Sequence, residues 1–178
     1  IETVTFSGLQ ADDTLAGLTQ VFDSKHAGNR TLSVVPDYVL NDGNSGLNYT
    51  VTLNTAIGAI DPAIAVLHAV KTYDGSSQFT ADQITVNGIA DEMLTLSGSG
   101  FAIANSNKVA DNAVNYLQDI GDLTLADGIG GLASDYTLPA FTAASIDNRV
   151  TLTAADVQLL SILGNKTYDG TPTFSYQQ

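Results

Sequence analysis

Cysteine and tryptophan are absent from this sequence, and only six of its 178 residues are Lys or Arg. The first absence removes disulfides, thiolate catalysis, Cys-ligated zinc and iron–sulfur clusters. The third removes nucleic acid as a partner, because gripping phosphates by counterion release needs many bases. Against 19 acidic residues the six bases leave a net charge of −13. Charged residues of both signs make up only 14 % of the chain, against about 25 % in soluble domains. The chain is acidic because it lacks bases. No apolar run reaches the ~18 residues of a membrane-spanning helix, so no membrane span is expected. It opens directly on Ile-Glu-Thr-Val-Thr-Phe-Ser-Gly, which reads as a mature or excised segment.

What is present is repetition. Lys71-Thr-Tyr-Asp-Gly75 recurs as Lys166-Thr-Tyr-Asp-Gly170, 95 residues downstream. Between the copies, further pairs fall in the same order. Glu2–Gly8 matches Glu92–Gly98, and Lys25-His-Ala-Gly-Asn29 matches Lys108-Val-Ala-Asp-Asn112. Leu40-Asn-Asp-Gly43 matches Leu125-Ala-Asp-Gly128, Asn48-Tyr-Thr-Val51 matches Asp135-Tyr-Thr-Leu138, and Ile60-Asp61 matches Ile146-Asp147. The chain is out of phase with its own repeat. Residues 1–63 form a first module without its KTYDG segment. Residues 64–158 form a complete second module, and residues 159–178 begin a third or supply a completing strand.

Local patterns favour strands. Val4 and Phe6 share one face of Glu2–Gly8; Tyr49, Val51 and Leu53 share one face of Asn48–Leu53; Arg149–Thr153 alternates likewise. Asp-Gly steps at Asp42, Asp74 and Asp127 mark tight turns between them. Ala65–Val70 also reads as strand. Thr153–Leu163 reads as strand or helix, with strand favoured, and Ala110–Leu117 is ambiguous. The expected fold is mainly β: tandem small antiparallel modules, Ig-like sandwiches or, alternatively, β-grasp-like units.

The order KTYDG, DEMLTLSG, NKVADN, LADG, DYTLPA and a V-T-L-T strand resembles the YDG-type repeat of large bacterial surface adhesins. These are filamentous haemagglutinin-like proteins, often exported by two-partner secretion. The likeness covers nearly the whole chain. It implies a β module in an extracellular stalk on the bacterial cell surface, supporting adhesion or biofilm formation. It carries no catalytic residues.

Within KTYDG a structural role is expected. Asp74 and Asp169 accept backbone N–H bonds, Gly75 and Gly170 take the left-handed conformation, and Lys71 and Lys166 lie along the sheet. Tyr73 and Tyr168 place a ring on the module edge with the hydroxyl bonded to backbone. His26 and His68 stand apart in unrelated parts of the repeat. No nucleophile motif is present, so no enzyme is expected and no cofactor is required. Calcium is the one metal with candidate ligands, at Asp42, Asn44, Asp119 and Asp122, although no EF-hand loop is spelled out. Three N-x-S/T triplets, at Asn29, Asn48 and Asn165, carry little weight. The expected function is a structural spacer, with neighbouring repeats as partners and head-to-tail self-association by strand addition of residues 166–178. The alternative is a module that binds polysaccharide or another surface.

Overall fold

A computed structural model describes residues 4–161 and 164–173. The fold is mainly β, with 35 % strand and 5 % helix, and contains several antiparallel sheets. The N-terminal part carries β1 (Thr14–Ala16), β2 (Gln20–Phe22), β3 (Gly28–Val34), β4 (Val39–Asn41) and β5 (Ala56–Ile60). The C-terminal part carries β6 (Ala63–Ile64), β7 (Val66–Thr72), β8 (Gln78–Phe79), β9 (Ile84–Asn87) and β10 (Met93–Ser97). It continues with β11 (Ala102–Ala104), β12 (Leu117–Asp119), β13 (Thr124–Ala126), β14 (Tyr136–Thr137) and β15 (Asn148–Thr153).

Alternation builds the C-terminal part. In β7, Leu67, Ala69 and Lys71 point inward while Val66, His68, Val70 and Thr72 face out. The same period buries Ile84 and Val86, Leu94 and Leu96, and Val150 and Leu152 on one face of a five-stranded sheet ordered β13-β10-β9-β7-β15. A three-stranded sheet, β12-β11-β8, supplies Leu117, Ala102, Ala104 and Phe79 to the same core. The second layer is thus a sheet, where a β-grasp would place a helix. Each fully buried Leu, Val or Phe contributes roughly 1.5–3 kcal/mol.

β15 runs parallel to β7, from Asn148 opposite Leu67 to Thr153 opposite Thr72. Its outer edge is met by a side-chain amide and a backbone carbonyl, Val150 N–H donating to Asn115 O at 3.2 Å, while its own Asn148 amide ties it to β12. Asn112 donates to Leu152 O and accepts from Leu152 N, both at 2.9 Å. Asn148 accepts from Leu117 N at 2.7 Å and donates to Leu117 O at 3.0 Å and Ala140 O at 3.1 Å. An edge satisfied this way offers no backbone to a stray strand.

The N-terminal part is built differently. Its strands form a pair, β1-β4, and a triple, β2-β3-β5. Every buried residue among those described lies between Ala65 and Leu152; none lies within 4–60. Leu15 pairs with Leu40 in β1–β4 as Leu96 pairs with Leu125 in β10–β13. Phe22 pairs with Leu32 in β2–β3 as Ala104 pairs with Leu117 in β11–β12. This register corrects one sequence match. The counterpart of Thr95–Ser97 is Thr14–Ala16, not a part of Glu2–Gly8, of which Ile1–Thr3 lie outside the described residues.

Three expected strands differ as well. Val4–Gly8 and Asn48–Leu53 have no strand assignment. The reason is partnership: Tyr136-Thr137 is strand because β14 pairs with β6, and no described strand stands beside Tyr49 in that way. Residues 154–161 are irregular and mostly exposed, while Ile162 and Leu163 lie outside the described residues. The ambiguous Ala110–Leu117 resolves into a short 3-10 turn, Val109–Asp111, and the start of β12.

Candidate functional site

The inward phase of β7 forces Lys71 into the core edge, where its side chain is only 3 % exposed. A buried ammonium needs oxygen partners. Lys71 Nζ donates to Asp74 Oδ1 at 2.8 Å, Asp74 Oδ2 at 3.0 Å and Gln78 O at 2.7 Å. It also sits 4.8 Å from the centroid of the Phe79 ring. Gly75, at φ 82, turns the chain, and Asp74 Oδ1 accepts Ser76 N–H at 2.9 Å. The Lys71 ammonium and the Ser76 N–H hold the Asp74 carboxyl below its ordinary value. KTYDG is therefore a clasp that ties the end of β7 to β8.

The second clasp shares three of these bonds without the surrounding sandwich. Lys166 Nζ donates to Asp169 Oδ1 at 2.8 Å and Thr173 O at 2.8 Å, and Asp169 Oδ1 accepts Thr171 N–H at 3.0 Å. Gly170 has φ 77. The Lys166 ammonium lowers the Asp169 carboxyl in the same way. Neither tyrosine behaves as expected. Tyr73 and Tyr168 are 45 % and 91 % exposed, and among the described residues their hydroxyls have no bonded backbone partner.

The tyrosines with that role are Tyr136 and Tyr49. Tyr136 OH accepts from Ile89 N–H at 2.9 Å and donates to Glu92 Oε2 at 2.7 Å. Tyr49 OH accepts from Gln10 N–H at 2.9 Å and donates to Asp13 Oδ2 at 2.5 Å. Each carboxylate lies three residues after the N–H donor, in turns where Ala11 and Ala90 have positive φ. Burial and then the Glu92 bond raise the Tyr136 hydroxyl above its ordinary value; for Tyr49 the Asp13 bond is the main cause. The sequence repeat located both tyrosines without revealing their partners.

In the C-terminal part this turn receives the N-terminal part. Lys25 Nζ donates to Glu92 Oε1 at 3.0 Å. His26 Nδ1 lies 2.6 Å from Asp135 Oδ2, and Ala27 N–H donates to Asp135 Oδ1 at 2.9 Å. Bonds from Tyr136 and Lys25 lower Glu92, and the His26 bond lowers Asp135. The result is a polar junction between the two parts. His68 instead pairs with Thr151 Oγ1 at 2.9 Å, across the β7–β15 seam.

The calcium candidates are placed in turns. Asp42 accepts N–H bonds from Asn44 at 2.8 Å, Gly46 at 2.7 Å and Asn48 at 3.0 Å. Burial opposes ionisation there, but these N–H bonds hold its carboxyl below the ordinary value. Asn44 bonds Asn48, and Asp119 Oδ1 accepts Gly121 N–H at 2.9 Å. Asp122 sits with its backbone against Gly98 and Gly100. Among the described residues no group of three or more His, Asp or Glu is placed to hold a metal ion. No described helix is long and apolar enough to cross a membrane.

One further feature lies in the N-terminal part. The apolar residues Phe6, Leu15, Leu18, Val34, Leu40 and Val51 line an open groove of about 380 Å³. Comparison with known proteins gives no match to any family model, curated protein or solved structure.

Proposed function

We propose that the chain is a structural stalk repeat of a secreted bacterial adhesin or surface filament, working at the bacterial cell surface in adhesion or biofilm formation. The observation that carries this reading is the polar junction, in which one part docks its Lys25–Ala27 turn on the Glu92–Tyr136 end of the next. The same Tyr–carboxylate end recurs at Asp13–Tyr49, as an array of like units requires. The acidic surface, at a net charge of −13, keeps neighbouring stalks apart. The resemblance to YDG-type repeats gives the extracellular setting. Neighbouring repeats are the partners, met head to tail with strand addition.

The test is length. Chains carrying one, two and four tandem copies should lengthen by a constant increment in small-angle scattering. Deleting the segment from its parent adhesin should shorten the filament and leave ligand binding at its tip intact. A specific hit on a glycan array would favour a polysaccharide-binding module instead. A robust catalytic activity abolished by one substitution would overturn the reading.

A further inference from the structure

We propose that the open groove of residues 4–53 is a receiving site for the clasped tail, residues 164–173, of a second copy of this chain. The inference rests on the repeat reading above and names the segment that joins one copy to the next. Four observations converge on it.

The groove lacks what fills its counterpart. In the C-terminal part, β7, β8 and β9 bring Leu67, Phe79 and Val86 into the core at 0–1 % exposure. In the N-terminal part the lining side chains remain accessible, with Phe6 at 55 % and Val51 at 45 %. No described segment covers them.

A free strand edge stands next to the groove: Gln20 of β2 pairs with the groove-lining Val34. β11 lies between β12 and β8, and Ala104 N–H donates to Ser77 O at 2.9 Å. Among the described residues the matching β2 pairs with β3 alone. Asp23 N–H bonds Thr31 O in β3, and Thr19 C=O accepts Val35 N–H just past its end. Alternation therefore turns the N–H groups of Gln20 and Phe22 toward the open side.

The tail repeats the segment that is missing. Lys166 reaches Thr173 O as Lys71 reaches Gln78 O, the acceptor being seven residues on in each. The clasp forms from local contacts, so the tail arrives already folded into its turn, which lowers the entropic cost of docking. In register with β8, Thr173 falls opposite Val21, as Gln78 falls opposite Ile103. Val21 is 54 % exposed and free to take that pairing.

Chain direction selects a second copy over self-closure. β7 follows the N-terminal part immediately, yet it packs into the part after it. The tail follows β15 in the same sense and so serves the next unit. The junction repeats in the same direction. Ser106 Oγ accepts Lys108 N–H at 3.1 Å, as Ser24 Oγ accepts His26 N–H at 3.1 Å. The Ser106–Lys108 turn of one copy is thus shaped to meet the Asp13–Tyr49 end of the next.

The experiment is a complementation in sedimentation velocity with the full chain. Gln20→Pro removes an outward N–H at the free edge and spares the bonds to β3. Lys166→Ala breaks the clasp in a segment outside every described sheet. The unaltered chain should form concentration-dependent oligomers, and each variant should weaken self-association about tenfold or more. Mixing the two variants should restore dimers, because one keeps an intact tail and the other an intact groove. Circular dichroism of each variant shows that its fold is kept; should Gln20→Pro unfold, Val21→Lys replaces it. An unaltered chain that stays monomeric at all concentrations overturns the proposal, whether the groove is empty or closed by its own tail. Oligomers insensitive to Lys166→Ala overturn it too. Either failure leaves the tandem-length measurement, and the stalk reading, standing.

Discussion

Lys71 is the residue on which the C-terminal part closes. Its ammonium serves Asp74 and Gln78 O from inside the core edge, so replacing it removes a buried charge and orphans a carbonyl. Lys71→Ala should destabilise the protein by about 1–3 kcal/mol in urea unfolding. Tyr136→Phe leaves the ring in place and strips one hydroxyl from Ile89 N–H and Glu92; the expected loss is about 1 kcal/mol. The acidic side of the pH profile follows from the same contacts. Asp74, Glu92 and Asp135 have native values below their ordinary ones. Their contribution is present above the ordinary carboxylate range near 4 and is lost as pH falls through the lowered values. Thermal melts between pH 2 and 5 should show a falling acid limb. Asp135→Asn should flatten that limb, and an unchanged limb would remove the junction from the account.

At the scale of elements, the strand depends on its neighbour as much as on its own residues. Asn48–Leu53 and Asp135–Leu138 carry like patterns, yet only Tyr136-Thr137 is strand, because only it meets β6. The strand pattern was readable for β7 and β15, where both faces have clear fates. It misled at Val4–Gly8, where no described strand answers. The clasp was legible as a turn from Asp-Gly, but the burial of Lys71 was not, since that depends on the phase of β7 against two other strands. The junction was illegible for a simpler reason: Lys25 and Glu92 stand 67 residues apart, with no local pattern linking them. Buried amides were equally silent. Asn148→Ala should free Leu117 N–H and two carbonyls inside the protein. A loss of about 2 kcal/mol or more is expected, with faster amide exchange along β12 and β15.

At the scale of the whole molecule, stability is uneven. The part holding every buried residue among those described should outlast the part holding none of them. Hydrogen exchange should find β3 opening at lower free energy than β7, and calorimetry should resolve a first transition in residues 4–60. A single transition with uniform protection would mean that the junction couples the parts fully. The pairing of β7 with β15 has a mechanical consequence. They are the long strands at the two ends of the C-terminal part, lying side by side and parallel through matched positions from Leu67–Asn148 to Thr72–Thr153. A pull on the two ends of this part therefore runs along both strands in opposite senses. The ladder between them is loaded in shear, and its hydrogen bonds must fail together instead of unzipping singly. Forced rupture is governed by the unfolding barrier rather than by equilibrium stability. Under tension this seam is the element that resists, while Asn112 holds its outer edge and Asn148 ties it to β12.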